Sequence, residues 1–439
     1  MATPIQPAPS ATPSGQPSLQ RTIRRWELVL VTINSVIGGG IFGLPSKAFA
    51  LAAEWSLVSF VVCALAASLI VLCFAEVASR YSATGGPYLY AREAFGPAAG
   101  FVVGWLVWLA RLTSFSANAN LLVAYLGFFF PAAAVGVGRA GLLIGVTGAL
   151  IAINVLGIRD STNANNFFSV GKIVPLAIFV IWGMFHLSPG AFTLGPLPDG
   201  HAFTMSVLLL LYAFTGFEMA VIPGGEMRDP QRDLPRALLA GMAVVVAIYI
   251  AIQVVCIGTL PELAASQRPL TDAAVRFLGA GGAVLITVGI VLSLGGNLNT
   301  VLLAGSRVVF AIAERGELPR ALATIHPRRR TPHWAVLLTG SLMMVLSVSG
   351  GFVGLATIST LARLSAYIVT CAALIRLRRM PGATPAMFTL RFGALIACAA
   401  VLLGLWMLSS AGWQETGNTA LATLVGLAIF AVMRAKVKS

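Results

Sequence analysis

Asn34-Ser35-Val36-Ile37-Gly38-Gly39-Gly40-Ile41-Phe42-Gly43-Leu44-Pro45 sits inside an apolar run that extends from residue 27 to residue 52. A run of about 20 apolar residues crosses a hydrocarbon core of about 30 Å as a helix. Three consecutive glycines work against that helix and leave main-chain groups unpaired. In lipid, such groups are tolerated only where they are buried in protein or line a cavity. Isolated glycines serve close helix packing, but a triple glycine exceeds what packing needs. A second break lies at Tyr212-Ala213-Phe214-Thr215-Gly216-Phe217-Glu218-Met219-Ala220, where a glycine and an acidic residue interrupt another apolar span.

The rest of the chain supplies the frame for these two breaks. Of 439 residues, 58% are hydrophobic and 10% charged, with a mean hydropathy of +0.89. Soluble domains carry about a quarter charged residues, so the composition excludes one. Length and breakers predict an all-α polytopic membrane protein with about 12 spans, near residues 27–52, 56–79, 98–129, 140–157, 165–188, 203–222, 236–260, 279–313, 333–349, 353–379, 389–409 and 417–434. Residues 1–24 are expected to form a disordered tail, since the first 20 lack charge and are rich in Pro, Ser, Ala and Gln. The basic residues that follow precede a segment of spanning length, so no cleaved signal is expected.

The 29 Lys and Arg against 15 Asp and Glu would suggest a nucleic-acid partner in a soluble protein. Their placement excludes that reading. With 12 spans, 21 basic residues fall in segments on one side, four (Lys47, Arg139, Arg268 and Arg276) on the other, and four inside spans. The positive-inside rule then puts both termini in the cytoplasm. The five cysteines lie in apolar runs without metal or redox spacing and read as small core residues. His186, His201, His326 and His333 fall at helix ends or in loops without ligand spacing. Neither an enzyme, nor a metal, nor another cofactor is expected.

The first break opens the first set of five helices and the second opens the next set, which has the opposite topology. Matching breaks in two halves point to an inverted-repeat secondary transporter with its site at the midplane. The segments Ile37 to Pro45 (IGGGIFGLP), Tyr81 to Tyr90 followed by Phe95-Gly96, and 216–238 (GFEMAVIPGGEMRDPQRDLPRAL) resemble the amino acid–polyamine–organocation (APC) superfamily of amino acid permeases. The resemblance covers helices 1 to 10. It implies a five-plus-five fold: a first repeat over 25–190, an inverted second repeat over 200–380, two added helices over 385–434, and a cytoplasmic tail over 435–439.

Backbone N–H groups at the start of a half-helix attract anions. Those around Val36, Ile37, Gly38, Gly39 and Gly40 therefore suit an α-carboxylate. Carbonyls freed near Phe214, Thr215 and Gly216 suit an α-ammonium, with Tyr212 and Phe214 placed to cover the ligand. The resemblant permeases bind amino acids by such a clamp. Intramembrane charges are costly unless paired or hydrated. Proton-coupled members of the superfamily place a lysine where Lys172 stands, which implies that Lys172 couples transport to protons. A lysine without water or acid partner is able to release its proton. The alternative is a fixed charge tying helices 1, 5 and 8 together. Glu218 either senses protons or neutralises an arginine. Arg111, Lys172 and Arg363 oppose Glu218 alone, an excess that an anionic substrate would offset. Glu76 and Arg307 are expected to snorkel to the cytoplasmic face. The partners implied are a small amino acid, protons and the bilayer. The expectation is a proton-linked secondary amino acid transporter; the alternative is an exchanger of amino acids or polyamines, for which a cationic ligand would have to enter a site already crowded with positive charge.

Overall fold

The computed structural model describes residues 25–81, 86–157, 162–221 and 230–438. Among them all regular structure is helical. The expected tail (1–24), residues 82–85 of the Tyr81 to Tyr90 stretch and residues 222–229 of the 216–238 segment lie outside the described residues.

The chain runs through α1 (Arg25–Val36), α2 (Gly39–Ala52), α3 (Ser56–Ala78), α4 (Gly86–Phe95), α5 (Pro97–Leu126), α6 (Gly136–Leu156), α7 (Thr162–Gly183) and α8 (Gly200–Phe214). It continues through α9 (Glu218–Val221), α10 (Pro230–Thr259), α11 (Pro269–Glu314), α12 (His333–Ser349), α13 (Phe352–Arg379), α14 (Gly393–Leu408) and α15 (Trp413–Lys438). Among the described residues, eight stretches are long and apolar enough to cross a membrane. Four shorter apolar helices accompany them: Trp26–Val36, Lys172–His186, His333–Ser349 and Gly393–Leu408. The chain is an integral membrane protein.

Several boundaries differ from expectation. The runs 27–52 and 203–222 are each split in two, at Ile37–Gly38 and at Thr215–Phe217. α4 has no counterpart in the expected helices, because its ten residues are too short and too polar for a span. α11 starts at Pro269 rather than 279, and the bend between its two pieces falls on Gly279 at φ 68°, a conformation open mainly to glycine. α15 reaches Lys438, through most of the expected 435–439 tail.

Burial sorts the helices into centre and rim. The apolar windows of α5 and α8 are 78% buried within the protein, those of α6 and α15 only 17%. The rim helices therefore turn their Leu, Ile and Val side chains to lipid, where burial against protein is not needed. The pairings show a pattern. α2 packs on α8, α1 on α10, and α3 on both α8 and α10. α5 packs on α11 and α13, and α11 on α7. Four cysteines are buried, while Cys398 on α14 is exposed, because α14 presents that face outward.

Glu76, expected to snorkel, is instead fully buried at the end of α3. Arg378 of α13 grips it with two bonds, Nε to Oε1 at 2.7 Å and Nη2 to Oε2 at 2.6 Å. The Leu390 N–H adds a third at 2.9 Å. A bidentate guanidinium can replace the water that snorkelling would have reached. Arg378 is itself partly exposed, so loss of the Glu76 carboxylate costs about 1.5–3 kcal/mol, the range for charge-assisted hydrogen bonds, rather than the full cost of a buried pair. Glu76→Ala is accordingly expected to lower the midpoint of thermal unfolding in detergent by several degrees. Labelling of the buried thiols Cys63, Cys73, Cys256 and Cys371 by a fluorogenic maleimide reads that midpoint directly.

Candidate functional site

The first break is a two-residue interruption. Gly38 is extended (φ −118°, ψ −154°), and α2 begins at Gly39 with no side-chain cap. The Gly38 N–H donates to Val36 O at 2.7 Å, so it is engaged locally and unlike Gly39 and Gly40 does not head the helix. Those two glycines occupy the first turn of α2, where N–H groups lack intrahelical partners. At the second break Thr215 is extended (φ −82°, ψ 164°) and Gly216 adopts φ 112°. The Glu218 carboxylate folds back to accept the Gly216 N–H at 2.8 Å.

Glycine brings the two breaks into contact. A Cβ on Gly40 would come within 2.5 Å of Ala213 Cα, and one on Gly216 would overlap the Ser35 carbonyl. Tyr249 of α10 bridges them, its hydroxyl 3.0 Å from Val36 O and 3.2 Å from Ala213 O. Side chains of four other helices surround this crossing. Asn118 of α5 donates to Asn297 Oδ1 of α11 at 2.8 Å and accepts from the Tyr212 hydroxyl at 2.7 Å. Lys172 of α7 donates to Asn34 O at 2.6 Å and Ile37 O at 2.9 Å, both beside the first break. Arg363 of α13 lies with Nε 3.4 Å from Glu218 Oε1 and donates through Nη1 to Thr215 Oγ1. Tyr367 donates to Glu218 Oε2 at 2.6 Å.

Val36, Gly38, Gly39, Gly40, Arg111, Lys172, Tyr212, Thr215, Gly216 and Arg363 line one cavity of about 760 Å³. Ile37, Phe214 and Glu218 are not among its lining residues. Phe214 was expected to cover a ligand. It is instead fully buried beside Phe60 (ring centroids 6.4 Å apart) and Tyr249 (5.2 Å), because two residues along a helix turn a side chain to the far face. Lys172 bonds α1 and the residue after it, not α11 among the described contacts. From the breaks the cavity runs to Arg307 and the turn Arg330–Pro332. On the opposite side the Phe352 ring meets Tyr212 edge-on at 6.3 Å. There Tyr125 donates to Phe42 O at 2.6 Å, and Arg139 reaches Gly350 O at 2.8 Å.

Ser114, Asn297, Tyr249 and Tyr367 were not singled out in the sequence. Each is a polar group inside an apolar helix, and a buried hydroxyl or amide there needs a partner on another helix. That signal was present but did not say which helix.

Residues 23–432 match the family model described as amino acid permease. The chain belongs to the amino acid permease family. Among its relatives is the methylthioribose transporter of Bacillus subtilis, 29% identical over 90% of this chain and 89% of the relative. The branched-chain amino acid permease of the same species is 26% identical, over 96% and 94%. The serine/threonine exchanger, also of B. subtilis, is 28% identical, over 91% and 92%. This permease is thus a transport protein and not an enzyme.

Proposed function

We propose that this permease is a secondary active amino acid transporter, coupled to protons and working by alternating access. One observation carries the reading: two broken helices cross at Gly40 and Gly216, and the cavity at that crossing holds an uncapped helix start. The α-carboxylate sits on the N–H groups of Gly39 and Gly40, and the α-ammonium on carbonyls of the Phe214–Thr215 segment. Lys172 holds the carbonyls of Asn34 and Ile37 and gains or loses its proton as the break rearranges.

The helix pairings support a five-plus-five inverted repeat. Counting α1 with α2 and α8 with α9 as one crossing each, and leaving out the ten-residue α4, gives 12 crossings. Exchanging the halves then turns α1 on α10 into α8 on α3, and α5 on α13 into α7 on α11, all of which are packed pairs. The repeats span 25–190 and 200–380, and α14 and α15 are additions. With both termini cytoplasmic in the cell membrane, the cavity mouth at Arg307 and Arg330 faces inward.

Reconstitution in proteoliposomes tests this reading. Uptake of a labelled amino acid is expected to saturate, to rise with an imposed inward proton gradient and to collapse with an uncoupler. Exchange is the alternative mode, and uptake strictly dependent on internal amino acid and indifferent to the proton gradient would establish it instead. Non-saturating flux would contradict a carrier.

A further inference from the structure

Among the described residues, the cavity is lined by five cationic side chains, Arg111, Lys172, Arg307, Arg330 and Arg363, and by no acidic one. Their partners differ. Arg363 is balanced by Glu218, whose oxygens are also taken by Tyr367 and the Gly216 N–H. Lys172 is satisfied by two carbonyls. Arg111 is not satisfied. It is 1% exposed, lines the cavity, and neither its Nε nor its Nη2 has a hydrogen-bond partner among the described residues.

A guanidinium offers five N–H donors in a fixed fork that fits carboxylate or another oxyanion. Buried donors left unpaired are costly, and like charges in a poorly screened cavity repel. An anionic group on a ligand removes both penalties, whereas a cationic side chain adds a further positive charge.

The location of Arg111 separates this group from the backbone clamp. Asn118 abuts Gly39, and Arg111 lies seven residues earlier on the same helix, about 10 Å along its axis. The two ends of one ligand therefore meet different parts of the protein.

Resting on the reading of this cavity as an amino acid site, we propose that the substrate is an acidic amino acid and that Arg111 is the residue that selects its side-chain anion. The α-amino acid moiety occupies the clamp at the breaks, and the second carboxylate, or an equivalent oxyanion, pairs with Arg111.

The experiment is equilibrium binding to the purified full-length protein in detergent, using glutamate, 2-aminoadipate, leucine, arginine and agmatine. The unmodified protein is expected to bind glutamate or 2-aminoadipate more tightly than leucine and to bind arginine and agmatine least. In Arg111→Gln the ratio of acidic to neutral affinity is expected to fall roughly 10- to 150-fold, the range for loss of a charge-assisted bond. Arg111→Lys, which keeps the charge without the fork, is expected to fall between. If neither variant folds, the ligand order of the unmodified protein decides. Neutral or cationic ligands binding as tightly as acidic ones, or a ratio unmoved in Arg111→Gln, overturns the assignment of Arg111 and leaves the amino acid site standing. No binding by any amino acid overturns both.

Discussion

Uptake by Gly39→Leu is expected to fall to background while folded protein persists in the membrane. A Cβ at Gly39 overlaps Asn118 Oδ1, and its next neighbour is Leu294 Cδ2 at 3.2 Å. The end of an asparagine side chain can swing aside. That movement breaks the bonds from Asn118 to Asn297 and Tyr212, each worth about 1 kcal/mol, and leaves the leucine side chain over the N–H groups that start α2. The neighbouring glycine is expected to behave differently. A Cβ at Gly40 meets the main chain of Ala213 at 2.5 Å, and main chain cannot rotate out of the way. Overpacking of this kind costs about 3 kcal/mol, so Gly40→Val is expected to reduce the yield of folded protein. Size-exclusion profiles from detergent extracts, alongside uptake in proteoliposomes, distinguish the two outcomes. Normal uptake by Gly39→Leu would remove the substrate from the first break.

Lys172→Ala is expected to abolish accumulation against a concentration gradient while exchange at equal internal and external pH survives. The ammonium is the group that holds the carbonyls of Asn34 and Ile37, and without it no side chain at that position can carry a proton. The buried Ile37 carbonyl loses its donor at a cost of about 1–3 kcal/mol and the part-buried Asn34 carbonyl loses less, so a modest loss of thermal stability is expected as well. Uptake into proteoliposomes is measured with an inward proton gradient, with a sodium gradient, and with an uncoupler. Accumulation driven by sodium, or accumulation by Lys172→Ala equal to that of the unmodified protein, would contradict proton coupling through this residue.

Much of the fold was legible because lipid imposes a simple rule on the chain. Spans must be apolar and about 20 residues long, so most of the helices expected from the sequence lie where a helix is found. The departures share one cause. α4, the first piece of α11 before Gly279 and the last residues of α15 are helical without being apolar enough to be read as spans. Helices of that kind owe their structure to packing or caps that a hydropathy window does not register. Glu76 shows the same limit for charge. An acidic residue near a helix end has the composition of a snorkelling group, and only the approach of Arg378, 302 positions away, makes burial affordable.

By itself the sequence determined that this chain is a helical membrane protein whose helices break at the Gly38–Gly40 run and near Gly216, since glycine in an apolar span removes side-chain packing and exposes main chain whatever surrounds it. The tertiary structure alone decided which residues share the cavity. It drew Arg363 to Glu218, turned Phe214 into the core, and left the Nε and Nη2 of Arg111 without partners among the described residues. Breaks follow from local conformational preference, which is written in adjacent residues. Pairing of buried charges follows from contacts between helices far apart in the chain, and helical periodicity gives a side chain's direction without naming what it will meet.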